Sequence, residues 1–472
     1  MKKVCLFAFV LLNMAQAGAQ TVTSKLEKAY AVFEKDEQLK FASASLYVIN
    51  AKTGAVVFDK NSQVGLSPAS TQKVITAASA MALLGPEFRY ETNFYNALSI
   101  QSPAENNLLV IGSGDPSFGS WRYTATKEEQ VFKQVANAVK EKNITGFNGS
   151  VIVNDFLIDH EGIPNGYNWV DIGNYYGAGH YRLNWRENQY DIAFKTGEKG
   201  LSEIASVKPA IPGVVFDNQV TAGKKGSGDN AYIYFKPGSE KMVIRGTVPP
   251  NEKAFTISGA VPDPSKFFAT QLMEYFNQPS IQLPVKNGYQ PKKLNNAETR
   301  EDDFSIYKLE PVYTHRSPAL DSIVYWFMRR SINLYGEALV KTIALHYKQK
   351  PSMENGLKFL TDFWKTQGIQ DHELNMYDGS GLSPSNRVTT KAQVAVLSFA
   401  REQKWFNQYK NAFPEFNGMK MKSGTIADVK GFAGYHTSKN GTEYIFSFLV
   451  NNYSGTSSAL VQKMYKVLNE IK

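Results

Sequence analysis

Cysteine content constrains this chain most. Among 472 residues there is one, Cys5, and it falls inside a segment laid out like a secretory leader. Lys2 and Lys3 form a positive start, Val4 to Met14 is mostly apolar, and Ala17-Gly18-Ala19 supplies a small-x-small cleavage pattern, with Ala15-Gln16-Ala17 competing. The apolar run is shorter than the roughly 20 residues a membrane span needs, and no later stretch is long enough. Cys5 precedes the apolar run rather than following it, which speaks against a lipoprotein. The expectation is a signal peptide over residues 1–20, export, and a mature chain without cysteine or transmembrane anchor. Such a chain has neither disulfides nor thiolate metal ligands, so it must be held by burial alone, which suits large domains. Its apolar fraction of 43% is ample, and its length suggests about three domains. The formal charge of +9 falls by two with the leader and is spread along the chain. With no arginine block, nucleic acid is not an expected partner.

Three textures follow one another. From Leu39 to about Arg89 the pattern reads strand, turn, strand, helix. Ser45 to Ile49 and Ala55 to Phe58 flank a turn at Asn50-Ala51-Lys52-Thr53-Gly54, and Ser70 to Leu84 favours helix until Gly85-Pro86. From about Tyr90 to Asn295 short strand-like runs dominate, among them Leu108 to Ile111, Ser150 to Val153, Tyr232 to Phe235 and Met242 to Ile244, with a helix at Ser265 to Asn277. The aromatics of this stretch fit strand and core positions better than a glycan-binding surface. From about Phe304 onward long helices alternate with strands: Ala319 to His346 and Ser352 to Thr366 are helical, Glu443 to Val450 is a strand, and Ala459 to Ile471 closes the chain as a helix. The apolar stripe of that last helix suits packing on a sheet.

The chemistry narrows by exclusion. No HExxH occurs, the six histidines are scattered, and no G-x-S-x-G elbow is present, so neither a zincin nor an α/β-hydrolase is indicated. A serine nucleophile would need a base other than histidine, and Pro68-Ala69-Ser70-Thr71-Gln72-Lys73 offers one. Ser70 and Lys73 are three residues apart at a helix start, hence on one face, and the helix N-terminus places free N–H groups beside Ser70. A lysine base must be neutral, so its pKa must fall from about 10.4 to about 7–8, which burial and a second cation would promote. K-[TS]-G occurs three times. Lys52-Thr53-Gly54 and Lys195-Thr196-Gly197 read as turns, whereas Lys422-Ser423-Gly424-Thr425 follows Met419 to Met421 and precedes Gly431-Phe432-Ala433-Gly434-Tyr435, a hairpin whose edge would accept an extended peptide. Between these lies Ser331-Ile332-Asn333.

S-x-x-K, then S-x-N, then K-[TS]-G is the order found in penicillin-binding proteins and serine β-lactamases. The match extends further. Leu66 to Ala78, Gly112-Ser113-Gly114-Asp115-Pro116-Ser117, Ser317-Pro318, and Asp378-Gly379-Ser380-Gly381-Leu382-Ser383 all fit, and with them the chain resembles the penicillin-binding protein 4 type of D-Ala-D-Ala carboxypeptidase/endopeptidase, the class C low-molecular-mass group. Ile332 departs from the usual Asp or Asn, and Ser423 from the commoner Thr; neither removes a needed group. The resemblance implies an α/β (α+β) architecture: a β-lactamase/transpeptidase-like catalytic domain of residues 21–89 and 300–472, split by two nested β-rich domains, 90–160 with 261–299, and 161–260. It implies catalysis by Ser70, Lys73, Ser331 and Asn333, and substrate binding by Lys422, Ser423 and Thr425. Asp155 corresponds loosely to an acidic residue that holds the diamino acid of the substrate. No cofactor and no metal are implied. Implied partners are peptidoglycan stem peptides, ending in D-Ala-D-Ala or cross-linked, and β-lactam antibiotics, met in a bacterial periplasm. A serine β-lactamase or a catalytically weak wall-binding or β-lactam-sensing protein are the alternatives.

Overall fold

The computed structural model describes residues 22–102, 104–154, 162–237, 239–291 and 304–472. The expected signal peptide and Asp155 lie outside the described residues. The chain divides into two units. One takes residues up to Leu83, Val324–Ser331 and Leu357–Lys472; the other takes Leu84–Ile323 and Ile332–Gly356.

The first unit is built on a six-stranded antiparallel sheet, in the order Glu415–Phe416, Met419–Ile426, Val429–Thr437, Glu443–Asn451, Ser43–Asn50, Val56–Lys60. An early and a late segment of the chain thus meet within the sheet, Ser43–Asn50 lying against Glu443–Asn451. The strand Glu443–Asn451 is buried from Tyr444 to Val450 and apolar there except at Ser447, because both of its faces are covered. On one face Phe446, Phe448 and Val450 pack with Leu46 and Val48 against Leu26, Tyr30 and Phe33 of the helix at residues 22–34, and against Leu460, Met464 and Val467 of the helix Ser457–Leu468. The period-3.6 stripe of the C-terminal helix is therefore buried on the sheet.

On the other face sits the helix Thr390–Arg401, capped by Thr389, whose hydroxyl accepts from the Ala392 amide. Its buried Gln393 accepts from Ser447 Oγ of the central strand at 2.6 Å and donates to Thr71 Oγ1 at 3.0 Å. One side chain thereby ties the sheet to the residue after Ser70. Gln393→Ala leaves Ser447 and Thr71 without these partners; the expected loss of stability is about 2–3 kcal/mol, read by thermal unfolding of the full chain.

The second unit holds a five-stranded mixed sheet, in the order Tyr289–Pro291, Val151–Asn154, Asn106–Ile111, Glu91–Ser99, Tyr307–Arg316, and two three-stranded sheets, Val215–Ala222 with Lys241–Val248 and Asn230–Phe235, and Phe255–Ala260 with Gln189–Lys195 and Glu203–Lys208. The helices Glu128–Glu141 and Pro264–Phe276 pack into a core centred on Phe118, Trp185 and Phe268. The strand-like runs expected in this stretch are strands.

One expectation needs correction. Ala319 to His346 is not a single helix: Leu320–Arg330 ends, and Asn333–His346 begins anew. Ser331 takes a left-handed backbone, φ 58°, and Ile332 is extended. A non-glycine residue in that region breaks helical hydrogen bonding. The second motif thus lies on a helix break.

Candidate active site

Ser70 lies in a short 3₁₀ turn, Ala69–Gln72, that runs straight into the helix Lys73–Leu83, the Lys73 amide bonding back to the Ser70 carbonyl. The three-residue spacing matches this tight winding, in which side chains at i and i+3 overlie one another. Lys73 is fully buried, while Ser70 is half-buried. The Lys73 ammonium donates to Ser70 Oγ at 2.9 Å and to the Ser380 carbonyl at 2.7 Å, and lies 5.7 Å from the ring centroid of Phe327.

The loop Asp378–Ser383 supplies that carbonyl. Its shape is set by the buried carboxylate of Asp378, which accepts from the amides of Ser380 (3.1 Å), Gly381 (2.6 Å) and Ser383 (2.6 Å) and from Asn386 Nδ2 (3.1 Å). Burial raises the pKa of Asp378; these hydrogen bonds and the charge of Lys73 act against it. The helix grips the loop on either side of Lys73: Gln72 donates to the Asp378 carbonyl and Thr76 to that of Gly379. Gly381, φ 84°, is required, because a Cβ there would overlap the carbonyl of Ala69. Ala69 itself has φ 45°, a strained conformation held by its neighbours at the residue before the serine.

Of the three K-[TS]-G occurrences, one reaches this serine. Lys52-Thr53-Gly54 is a turn whose Lys52 and Thr53 amides donate to Asn50 Oδ1, and Lys195 ends a strand of the other unit, exposed and 3.9 Å from Glu203. Lys422-Ser423-Gly424-Thr425 lies within Met419–Ile426. A Cβ on Gly424 would stand 2.6 Å from the Pro68 carbonyl, 2.8 Å from the Thr71 amide and 3.0 Å from the Ser70 amide, so this strand presses backbone to backbone on the serine turn. Glu415–Phe416 pairs only with Met419 and Lys420; among the described residues no strand covers the outer edge from Lys422 onward. Lys422 is buried and donates to the Ser423 carbonyl at 2.7 Å. Its pKa is pushed well below the usual lysine value by burial first, then by the ammonium groups of Lys73 and Lys430. Ser331 stands four residues beyond Phe327, at the helix break.

Asn333 belongs to the second unit, where it opens the helix Asn333–His346 and its amide donates to the Tyr176 carbonyl at 2.7 Å. That helix is fastened by polar side chains on its buried flank. Tyr335 donates to Glu187, which also receives Ser120 and a two-nitrogen clamp from Arg122; Glu337 accepts from Tyr167; Lys341 donates to the His180 carbonyl.

Sequence reasoning read Asp378 to Ser383 as a marker without assigning it work. Its contribution, a backbone carbonyl facing Lys73, has no side-chain signature. A sequence signal that could have found it is Gly381 within an Asp- and Ser-rich loop, which marks a tightly turned backbone. Lys430 carried no signal at all.

A serine whose hydroxyl meets a buried lysine amine, beside a lysine-bearing strand whose outer edge no strand covers among the described residues, is the arrangement of a class of acyl-transferring serine enzymes. A profile of the D-Ala-D-Ala carboxypeptidase 3 (S13) family matches residues 26–415, and the chain belongs to that family. It is a serine D-Ala-D-Ala peptidase. Among its curated relatives is a D-alanyl-D-alanine carboxypeptidase of Actinomadura sp. (strain R39), 24% identical over an alignment covering 95% of this chain and 85% of the relative. Another is the D-alanyl-D-alanine carboxypeptidase DacB of Haemophilus influenzae, 23% identical over 86% of this chain and 84% of the relative. The fold is that of penicillin-binding protein 4 from Haemophilus influenzae, with a TM-score of 0.76 at 20% identity, covering 96% of this chain and 98% of that one. A second structure of that protein, complexed with a β-lactam, superposes with a TM-score of 0.69 at 21% identity, over 91% of this chain and 95% of that one.

Proposed function

We propose that this chain is an exported peptidase of the bacterial periplasm that cleaves D-Ala-D-Ala bonds in peptidoglycan stem peptides, whether terminal or cross-linked, through an acyl-enzyme on Ser70, and that β-lactams acylate the same oxygen. The observation that carries this reading is the 2.9 Å approach of Lys73 Nζ to Ser70 Oγ, within hydrogen-bond reach for proton transfer.

Neutral Lys73 takes the hydroxyl proton as Oγ bonds to the carbonyl carbon of the penultimate D-Ala. The amides of Ser70 and Thr425 receive the oxyanion, a contribution of about 3 kcal/mol per donor. Lys422, with Ser423 or Thr425, binds the terminal carboxylate. Ser331 passes a proton to the departing amine as the C–N bond breaks, and Asn333, two residues along the chain, holds the substrate amide. Water then cleaves the ester and regenerates Ser70. A β-lactam follows the same first step, but its leaving nitrogen stays tethered. Asp155 is proposed as a contact for the diamino acid side chain of the stem peptide.

Intact-mass analysis after benzylpenicillin treatment tests the reading. The expected result is one adduct per chain, located on the peptide holding Ser70 and missing in Ser70→Ala. An adduct on any other peptide, or none, sinks it. Release of D-alanine from a pentapeptide, also lost in Ser70→Ala, separates a peptidase from a non-catalytic binder.

A further inference from the structure

Lys430 takes no part in the steps above. It lies on the strand Val429–Thr437, directly opposite Thr425 in the ladder, and its ammonium donates to Thr425 Oγ1 at 2.6 Å. The ammonium also lies 5.4 Å from the ring centroid of Phe432. Thr425 is exposed and Lys430 half-buried, so the pair stands at the solvent end of the strand that presses on the serine turn. Among the described residues no carboxylate lies within ion-pair distance of Lys430, nor of Lys422. Two ammonium groups on neighbouring strands are thus left without a counter-ion, close enough that Lys430 disfavours the charge on Lys422. Partly buried charge without a partner is unfavourable and calls for an anion. The Thr425 hydroxyl, already accepting from Lys430, has its own proton left to donate outward.

We propose that Lys430 is a specificity residue: with Thr425 it receives the carboxylate next to the scissile bond, as a second cation beside Lys422. In a terminal D-Ala-D-Ala peptide this is the C-terminal carboxylate. The proposal rests on the assignment of Lys422 to Thr425 as the carboxylate-binding strand.

The test pairs anionic and neutral forms of one acylating agent. Acylation rates with benzylpenicillin and with its methyl ester are measured by intact mass for the wild type, Lys430→Met and Lys430→Arg. Met keeps the length and packing of the stem on Phe432 but removes the charge. The ratio of acid to ester rates is expected to fall roughly tenfold in Lys430→Met, the equivalent of one charge-assisted hydrogen bond, and to be largely kept in Lys430→Arg. Ratios equal to wild type in Lys430→Met overturn the proposal, whether both rates fall together, as from a purely structural role, or neither moves. If the wild type forms no adduct on Ser70, the reading on which this one rests fails, and this one with it.

Discussion

Lys73→Met is expected to acylate with benzylpenicillin about a thousandfold more slowly than the wild type, while still folding. The rate loss follows from what Lys73 touches. Its amine is the group at hydrogen-bond distance from Ser70 Oγ, and a positioned base is worth roughly 10²–10⁴ in rate. Ser70 keeps the flanking amides, so a residual rate above that of an unassisted serine is expected. Stability moves little because two effects oppose each other. The Ser380 carbonyl loses its donor, which costs about 1–3 kcal/mol, but a fully buried polar amine disappears, and its desolvation penalty with it. The charge balance shifts in a direction that can be checked. Lys73 is one of the two ammonium groups that depress the pKa of Lys422, so the pKa of Lys422 rises in the variant, and Lys422 stays protonated to higher pH. The charge of Lys73 also lowers the pKa of Asp378, so that pKa climbs further when the charge is removed. Intact-mass time courses give the rate, and NMR titration of side-chain-labelled lysine gives the shift. A Lys73→Met rate within tenfold of wild type would remove Lys73 from the role of base.

What was legible from sequence follows the range over which each feature is determined. The Ser70–Lys73 spacing is local: one helical turn places both on one side, and no distant residue alters that. The Lys422 hairpin was readable because Gly431 and Gly434 mark a strand that tolerates close neighbours, and because its two rivals sit among turn residues. The break at Ser331 was not readable. No proline or glycine marks it, and a serine with φ 58° is held there by tertiary context, against local propensity. The partner of Lys73 across the loop is a main-chain carbonyl, and such atoms have no residue-type signal. Lys430 is placed by strand register, which pairs residues five apart across a turn; reading it requires knowing that the hairpin folds back between Ile426 and Val429.

Asp378→Ala is expected to damage stability and activity together. Five donors, the amides of Ser380, Gly381 and Ser383 and the side chains of Asn386 and Gln72, converge on one buried carboxylate. Removing it leaves them unsatisfied where water has little access. At about 1–3 kcal/mol for a buried group left unpaired, and with strong non-additivity among neighbours, a loss of about 4 kcal/mol is expected, which places this change in the severe class. In a domain of this size that lowers Tm by about 10 °C. The activity loss has a separate origin. Without the carboxylate, the loop no longer holds the Ser380 carbonyl against Lys73 or the Gly381 backbone against Ala69, and the amine can rotate away from Ser70 Oγ. Asp378→Asn separates the two effects. Its oxygen still accepts from part of the set, while its NH₂ faces amides that also donate, so stability falls less, yet the loop is still displaced. The acylation rate of Asp378→Asn, measured well below its own Tm, is expected to be at least tenfold under the wild type. A wild-type rate in that variant would show that the loop acts only as scaffold and does not poise Lys73.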